Sequence, residues 1–169
     1  MQRRAFLVFA ASSASLALVS LSGCGFALRK APNFAFTTLY STLTSPLGVE
    51  LKRSLESTRK VRVITDARLI NEAQAVLEVL LDQREKVVLS RNAAGQVREF
   101  QLRLRFRFRL RTPAGKELIP LSDILLQRDI NFNESAVLAK EAEEALLYRD
   151  MQSDIVQQIM RRLAAVTEL

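Results

Sequence analysis

The sequence predicts an α+β domain in which two helices pack on one face of a mixed, mostly antiparallel sheet, and three observations lead there. From Phe100 to Leu110 apolar and polar residues alternate without interruption: Phe100, Leu102, Leu104, Phe106, Phe108 and Leu110 fall on one side, and Arg103, Arg105, Arg107, Arg109 and Arg111 on the other. That period of two belongs to a strand with one buried face, since a helix would scatter the arginines around its axis. Turn signals bracket this strand, Asn92-Ala93-Ala94-Gly95 before it and Thr112-Pro113-Ala114-Gly115 after it, which makes an antiparallel meander. Two other segments carry an apolar residue every fourth position, Leu47, Leu51 and Leu55 in one and Leu147, Met151, Ile155, Ile159 and Leu163 in the other, which is helical spacing.

The elements follow in order. Asn33 to Ser41, rich in Phe, Thr and Tyr, reads as a first strand. Ser45-Pro46 opens a helix, with Ser as N-cap and Pro at the first helical position. Val61 to Ile64 is a short strand. From Ala73 onward Ala75, Leu77, Val79 and Leu81 alternate with polar partners, and Gln83 to Lys86 interrupt them before Val87-Val88-Leu89, so a bulge is expected at the interruption. Glu117 to Asn133 continues the meander through Leu118, Ile124, Leu126, Ile130 and Phe132. The final helix widens its apolar stripe with Val156 and Met160 and keeps Glu143, Asp150, Asp154 and Arg161 on polar faces.

The N-terminus carries a different kind of signal. Arg3 and Arg4 precede the apolar stretch Ala5 to Leu21, then come Ser22-Gly23 and the single cysteine, Cys24. Together these form a lipobox, with residues 1–23 as a signal peptide and Cys24 as the acylated first residue of the mature chain. Two or more acyl chains make a stable anchor, because each buried CH₂ contributes about 0.8 kcal/mol. An uncut signal anchor is the competing reading, but four serines dilute the stretch. The paired arginines are compatible with either the general secretory or the twin-arginine route. Gly25 after the cysteine, rather than Asp, reads in Gram-negative lipoproteins as permission to reach the outer membrane. Residues 24–33 then form a lipid-anchored linker and residues 34–169 a single domain.

Composition limits the chemistry. With no histidine in the chain, neither a Ser-His-Asp triad nor a His-ligated metal site can be built, and the only thiol is committed to lipid. Carboxylate pairs remain as a route to hydrolysis, but Glu141, Glu143 and Glu144 read as a solvated helix face. Five glycines and no Gly-rich phosphate loop remove the nucleotide-binding reading. Removal of Arg3 and Arg4 leaves 23 basic against 18 acidic residues, a moderate excess compatible with an anionic partner.

The arginine row admits two readings. One is an outer face in which arginines pair with cross-strand carboxylates such as Glu78, Asp82 or Asp123. The other is a basic surface for phosphate-bearing ligands, or for another protein's polar wall, because the guanidinium fork matches phosphate and carboxylate. Nucleic acid is not expected: the face has no interleaved aromatics to stack bases, and an exported lipoprotein rarely meets it. Lipopolysaccharide is the anionic polymer available.

Three segments in order resemble one family over nearly the whole mature chain. Cys24-Gly25-Phe26-Ala27-Leu28-Arg29 is similar to the start of the LPS-assembly lipoproteins, the LptE family, although Lys30 stands where that family often has Gly or Asp. Ser90 to Phe100 resembles the family's central hairpin, and Val137 to Glu144 the start of its last helix. The resemblance implies two helices on a four-stranded sheet. It also implies a non-catalytic subunit without a cofactor, anchored to the inner leaflet of the cell outer membrane on its periplasmic side. Such a subunit plugs and helps assemble a large β-barrel, LptD, and binds lipopolysaccharide in transit. Within the matched segments Arg91 and Lys140 carry over as lipopolysaccharide contacts. Each has a plain alternative, Arg91 as a solvated turn residue and Lys140 in an i,i+4 pair with Glu144. Another outer-membrane lipoprotein adaptor, such as an accessory to general barrel assembly, would share the anchor and the domain type; a carboxylate-using periplasmic enzyme is a more distant alternative.

Overall fold

The structure, a computed structural model, describes residues 32–169. Pro32–Leu169 forms one compact unit. The elements run β1 (Thr38–Tyr40), α1 (Pro46–Ser57), β2 (Arg62–Ile64), a short 3₁₀ segment (Ala67–Glu72), β3 (Ala75–Arg91), β4 (Val97–Arg111), β5 (Glu117–Asn131), a second 3₁₀ turn (Glu134–Ala136) and α2 (Val137–Ala164). The sheet order is β2-β1-β3-β4-β5. β1 lies parallel to both β2 and β3, while β3, β4 and β5 form the antiparallel meander.

The α+β class is as expected, but the sheet has five strands rather than four. The count of four comes from the family resemblance; β2, the short strand read at Val61 to Ile64, is present over three residues, and its register with β1 pairs Thr38 with Arg62 and Tyr40 with Ile64. The first strand is correspondingly shorter than the predicted Asn33–Ser41. A strand extends only as far as it has a ladder partner, and here the partners run out after three residues.

The helix signals act as written in the sequence. The Ser45 hydroxyl accepts from the Gly48 N–H at 3.1 Å, satisfying one of the free donors at the start of α1. Leu47, Leu51 and Leu55 are buried. Gly48 is required there, because a Cβ would lie 2.4 Å from the Leu43 Cβ, where the incoming chain crosses the helix. The two meander turns close on Asn92 and Thr112, with Gly95 at φ 82° and Gly115 at φ 98°, a region that costs a side-chain-bearing residue steric strain.

The core lies between the sheet and the helices. Leu102, Phe106, Phe108 and Leu110 of β4 meet Met151, Ile155, Ile159 and Leu163 of α2 in one cluster, joined by the apolar face of α1. In β5 the buried positions are Ile119, Ile124 and Ile130, with Leu118 and Leu126 half-buried against the cluster. The α2 stripe also includes Tyr148, which is buried next to the half-buried Leu147. Its hydroxyl donates to the Glu85 carbonyl oxygen.

β3 departs from the expected bulge. Gln83 to Lys86 run in unbroken register with Arg105 to Leu102. The irregularities lie instead between Val79 and Leu81 and on either side of Ser90. The first one inverts the strand: before it Leu77 and Val79 oppose Leu110 and Phe108 on the helix side, and after it Asp82, Arg84 and Lys86 oppose Phe106, Leu104 and Leu102. An inserted residue shifts a period-two pattern by one, so every side chain beyond it changes face. Asp82, which the sequence places among partners for the arginine row, is thereby on the helix side.

The period-two assignment in β4 has a direct test. Phe106→Asp puts a charge without a partner into a fully buried position and is expected to unfold the domain, or to cost more than about 4 kcal/mol, whereas Arg107→Asp on the opposite face should cost about 1 kcal/mol or less. Denaturant midpoints of the two variants decide it, and equal losses would refute the assignment.

Candidate functional site

Two surfaces collect the residues singled out in the sequence. One is the open face of the sheet, where β4 displays Arg103, Arg105, Arg107, Arg109 and Arg111 at intervals of roughly 6–7 Å. Glu78 of β3 binds two of them at once, accepting from Arg109 Nε and Arg111 Nε, each at 2.5 Å. Asp123 of β5 accepts from Arg105 Nη2 at 2.5 Å from the other side and forms a longer ion pair with Arg107, 3.9 Å from its Nε, which has no hydrogen-bond partner among the described residues. Arg103 donates to the Gln101 side chain at 2.8 Å. The register sets Glu85 opposite Arg103, Asp129 opposite Gln101, and Glu117 opposite Arg111. Five arginines are therefore interleaved with at least as many carboxylates, and the face is charge-balanced.

The other surface is the end of the sheet formed by the β3–β4 turn and the start of α2. Arg91 Nη1 donates to the Gly95 carbonyl at 3.0 Å and has no carboxylate partner among the described residues. Lys140 pairs with Glu143 at 2.8 Å, an i,i+3 contact, and not with Glu144. Exposed apolar side chains precede each cation in the chain, Val87, Val88 and Leu89 before Arg91 and Val137 and the 82%-exposed Leu138 before Lys140, and Leu146 is exposed further along α2. Cys24 lies outside the described residues.

The structure adds a cluster that sequence reasoning missed. Glu144 accepts from Lys86 Nζ at 2.6 Å and lies 3.6 Å from Arg84 Nη2. The Arg84 guanidinium stacks 3.5 Å from the Tyr148 ring centroid, and Lys86 Nζ lies 4.3 Å from that of Phe100. Burial pushes the Tyr148 hydroxyl pKa up. This cluster ties the distal half of β3 to α2 where apolar side chains are lacking. Its signal in the sequence is Leu80-Leu81, two apolar residues in succession that break the alternation and reset its phase.

The ion pairs on the open face predict a pH dependence. Hydrogen bonds from Arg111 and then Arg109 hold the Glu78 carboxyl below its ordinary value, and Arg105 does so for Asp123. A depressed folded-state pKa contributes stability that is present above the unfolded value, about 4.3 for Glu and 3.9 for Asp, and is lost as pH falls through the lower folded value. Glu78→Gln should therefore lower the urea midpoint at pH 7 and flatten its decline below about pH 4. Parallel acid limbs for variant and wild type would show that the pair contributes nothing.

Comparison with known proteins now bears on these surfaces. A family model described as LptE, lipopolysaccharide-assembly, matches residues 29–163. The LPS-assembly lipoprotein LptE of Pectobacterium atrosepticum is 27% identical over 157 residues, covering 89% of this chain and 82% of that protein. Among solved structures, lipoprotein B of Nitrosomonas europaea superimposes with a TM-score of 0.70 at 35% identity, covering 83% of this chain and 91% of the other. The rare lipoprotein B of Shewanella oneidensis gives 0.59 at 26% identity, covering 76% and 92%. With the family model matching residues 29–163, most of the chain, the chain belongs to the LptE family of lipopolysaccharide-assembly lipoproteins.

Proposed function

We propose that this protein is a lipid-anchored subunit of the outer membrane that plugs and helps assemble the LptD β-barrel and binds lipopolysaccharide during its insertion into the outer leaflet. The observation that carries this reading is the division of the two surfaces within a member of the LptE family. The charge-balanced open face suits the polar interior of a large barrel, because four of its five arginines are ion-paired to carboxylates of the same face and need no counter-ions from the wall. The turn end combines an arginine without a carboxylate partner among the described residues with exposed leucines and valines earlier on the same strand. A phosphorylated lipid presents that same pairing of anion and acyl chain. The absence of histidine from the whole sequence supports a non-catalytic role. No described helix is long and apolar enough to cross a membrane, so attachment in this reading rests on acylated Cys24.

If Arg91 and Lys140 contact lipopolysaccharide phosphates, changing both to Asp should remove two charge-assisted contacts, each on the order of 1.5–3 kcal/mol before screening. Binding measured at low salt should fall by at least about tenfold, and the difference should shrink as salt rises, since exposed charges are screened over about 8–10 Å near physiological ionic strength. Arg105→Gln, on the balanced face, should leave affinity within about twofold. Unchanged binding by the double variant at low salt returns both residues to a solvated surface.

The anchor is tested separately. Cys24→Ala should abolish the acyl mass increment and release the protein from the outer-membrane fraction, whereas unchanged mass and fractionation would refute acylation at that residue.

A further inference from the structure

β1 covers only the first two residues of β3, pairing Leu39 with Ala75 and Tyr40 with Val76. Beyond Val76 no described strand lies against the outer edge of β3, although β4 pairs with its inner edge as far as Arg91. An edge of this length presents a row of unpaired N–H and C=O groups to any strand that fits it. Its sequence is Val79-Leu80-Leu81-Asp82-Gln83-Arg84-Glu85-Lys86-Val87-Val88-Leu89, three apolar residues on either side of a polar centre. Asp82 to Leu89 are all exposed, and Leu80 is 52% exposed.

We propose that this edge pairs antiparallel with the same edge of a second copy of this chain, on a two-fold axis at Arg84. In a symmetric antiparallel pair the axis stands perpendicular to the sheet and each residue at the axis faces its own copy, so only a few registers are available. The register centred on Arg84 sets Asp82 opposite Lys86 twice, Gln83 opposite Glu85, Leu81 opposite Val87 and Leu80 opposite Val88. Centring on Gln83 also pairs opposite charges, Asp82 with Arg84, but puts Leu81 against Glu85 and Leu80 against Lys86; centring on Glu85 puts two glutamates together and Arg84 against Lys86. Charged edges normally discourage strand addition; of these registers only the one centred on Arg84 sets opposite charges together and apolar residues against apolar residues.

The intramolecular contacts are compatible with that geometry. Arg84 is drawn over its own Tyr148 ring and towards Glu144, so the axis does not bring two unscreened guanidinium groups together. The irregularities at Val79/Leu81 and after Val88 bound a regular stretch around the centre. A ladder this short buries less than the roughly 1,200 Å² typical of stable complexes, so the dimer should be weak, with half-association on the order of 10–100 µM.

The test uses charge reversal on the acylated full chain in mild detergent, with micelles in large excess over protein, read by energy transfer between donor- and acceptor-labelled copies. Wild type should associate in a concentration-dependent way. Asp82→Lys, which sets lysine against Lys86 of the other copy, should not associate with itself, and neither should Lys86→Asp. Mixing the two single variants should restore association to near the wild-type level, because each interface then pairs Lys with Asp at both positions. Restoration requires both variants to be folded, so a variant damaged by the loss of the Lys86–Glu144 contact cannot imitate it. Wild type that stays monomeric to about 1 mM, self-association of either single variant equal to wild type, or a mixture no better than its components would each overturn the proposal.

Discussion

The rest of the structure depends on one contact, the apolar row of β4 against the apolar stripe of α2. Residues two apart on a strand are separated by about 6.6 Å, and residues four apart on a helix by about 6 Å. The two spacings nearly match, and Met151, Ile155, Ile159 and Leu163 join Leu104, Phe106, Phe108 and Leu110 in one buried cluster. The only cysteine is Cys24, so no disulfide assists this contact. α1 fills the space that remains beside α2, and the short β1 and β2 extend the sheet beneath it.

The matched spacing also explains what happens where the stripe ends. N-terminal to Leu147 the half-buried positions of α2 are the polar Lys140 and Glu144, while Ala139, Ala142 and Ala145 are exposed and the larger Leu138 and Leu146 face solvent. The sheet below it is held by other means: the Arg84–Tyr148 stack, the Lys86–Glu144 pair and the Tyr148 hydroxyl on the β3 backbone. Long polar side chains with apolar stems suit this role, since they pack along an aromatic face while the charge stays near water. The same local absence of large apolar partners leaves the β3 edge and the turn end exposed.

Most of the fold was legible because its signals are local. Ser45-Pro46, the two Gly-bearing turns and the uninterrupted alternation in Phe100–Leu110 each specify backbone geometry within a few residues, and the structure has each where the sequence places it. What was not legible depends on pairing at long range. The inversion of β3 at Leu80 is visible only once Asp82 is seen opposite Phe106, and it sends Arg84 and Lys86 to α2. Arg91 and Lys140 could be named from matched segments, but their immediate partners, Gly95 and Glu143, are set by turn geometry and rotamer choice.

The arginine row shows how far strand periodicity alone can mislead about charge. Five arginines in eleven residues read as a strongly basic surface, and neighbours 6–7 Å apart lie well inside the screening length, so without counter-charges they would repel one another in the folded state. Glu78 and Asp123 come from strands on either side, 31 and 18 residues away along the chain, and each carboxylate serves two arginines. Individually these partly exposed pairs contribute little to stability. Their collective effect is to remove the row's repulsion and its long-range field together. The positive potential available to an anionic ligand then comes from cations without such partners. Arg91 is one, at the end of the sheet where Val88 and Leu89 are also exposed.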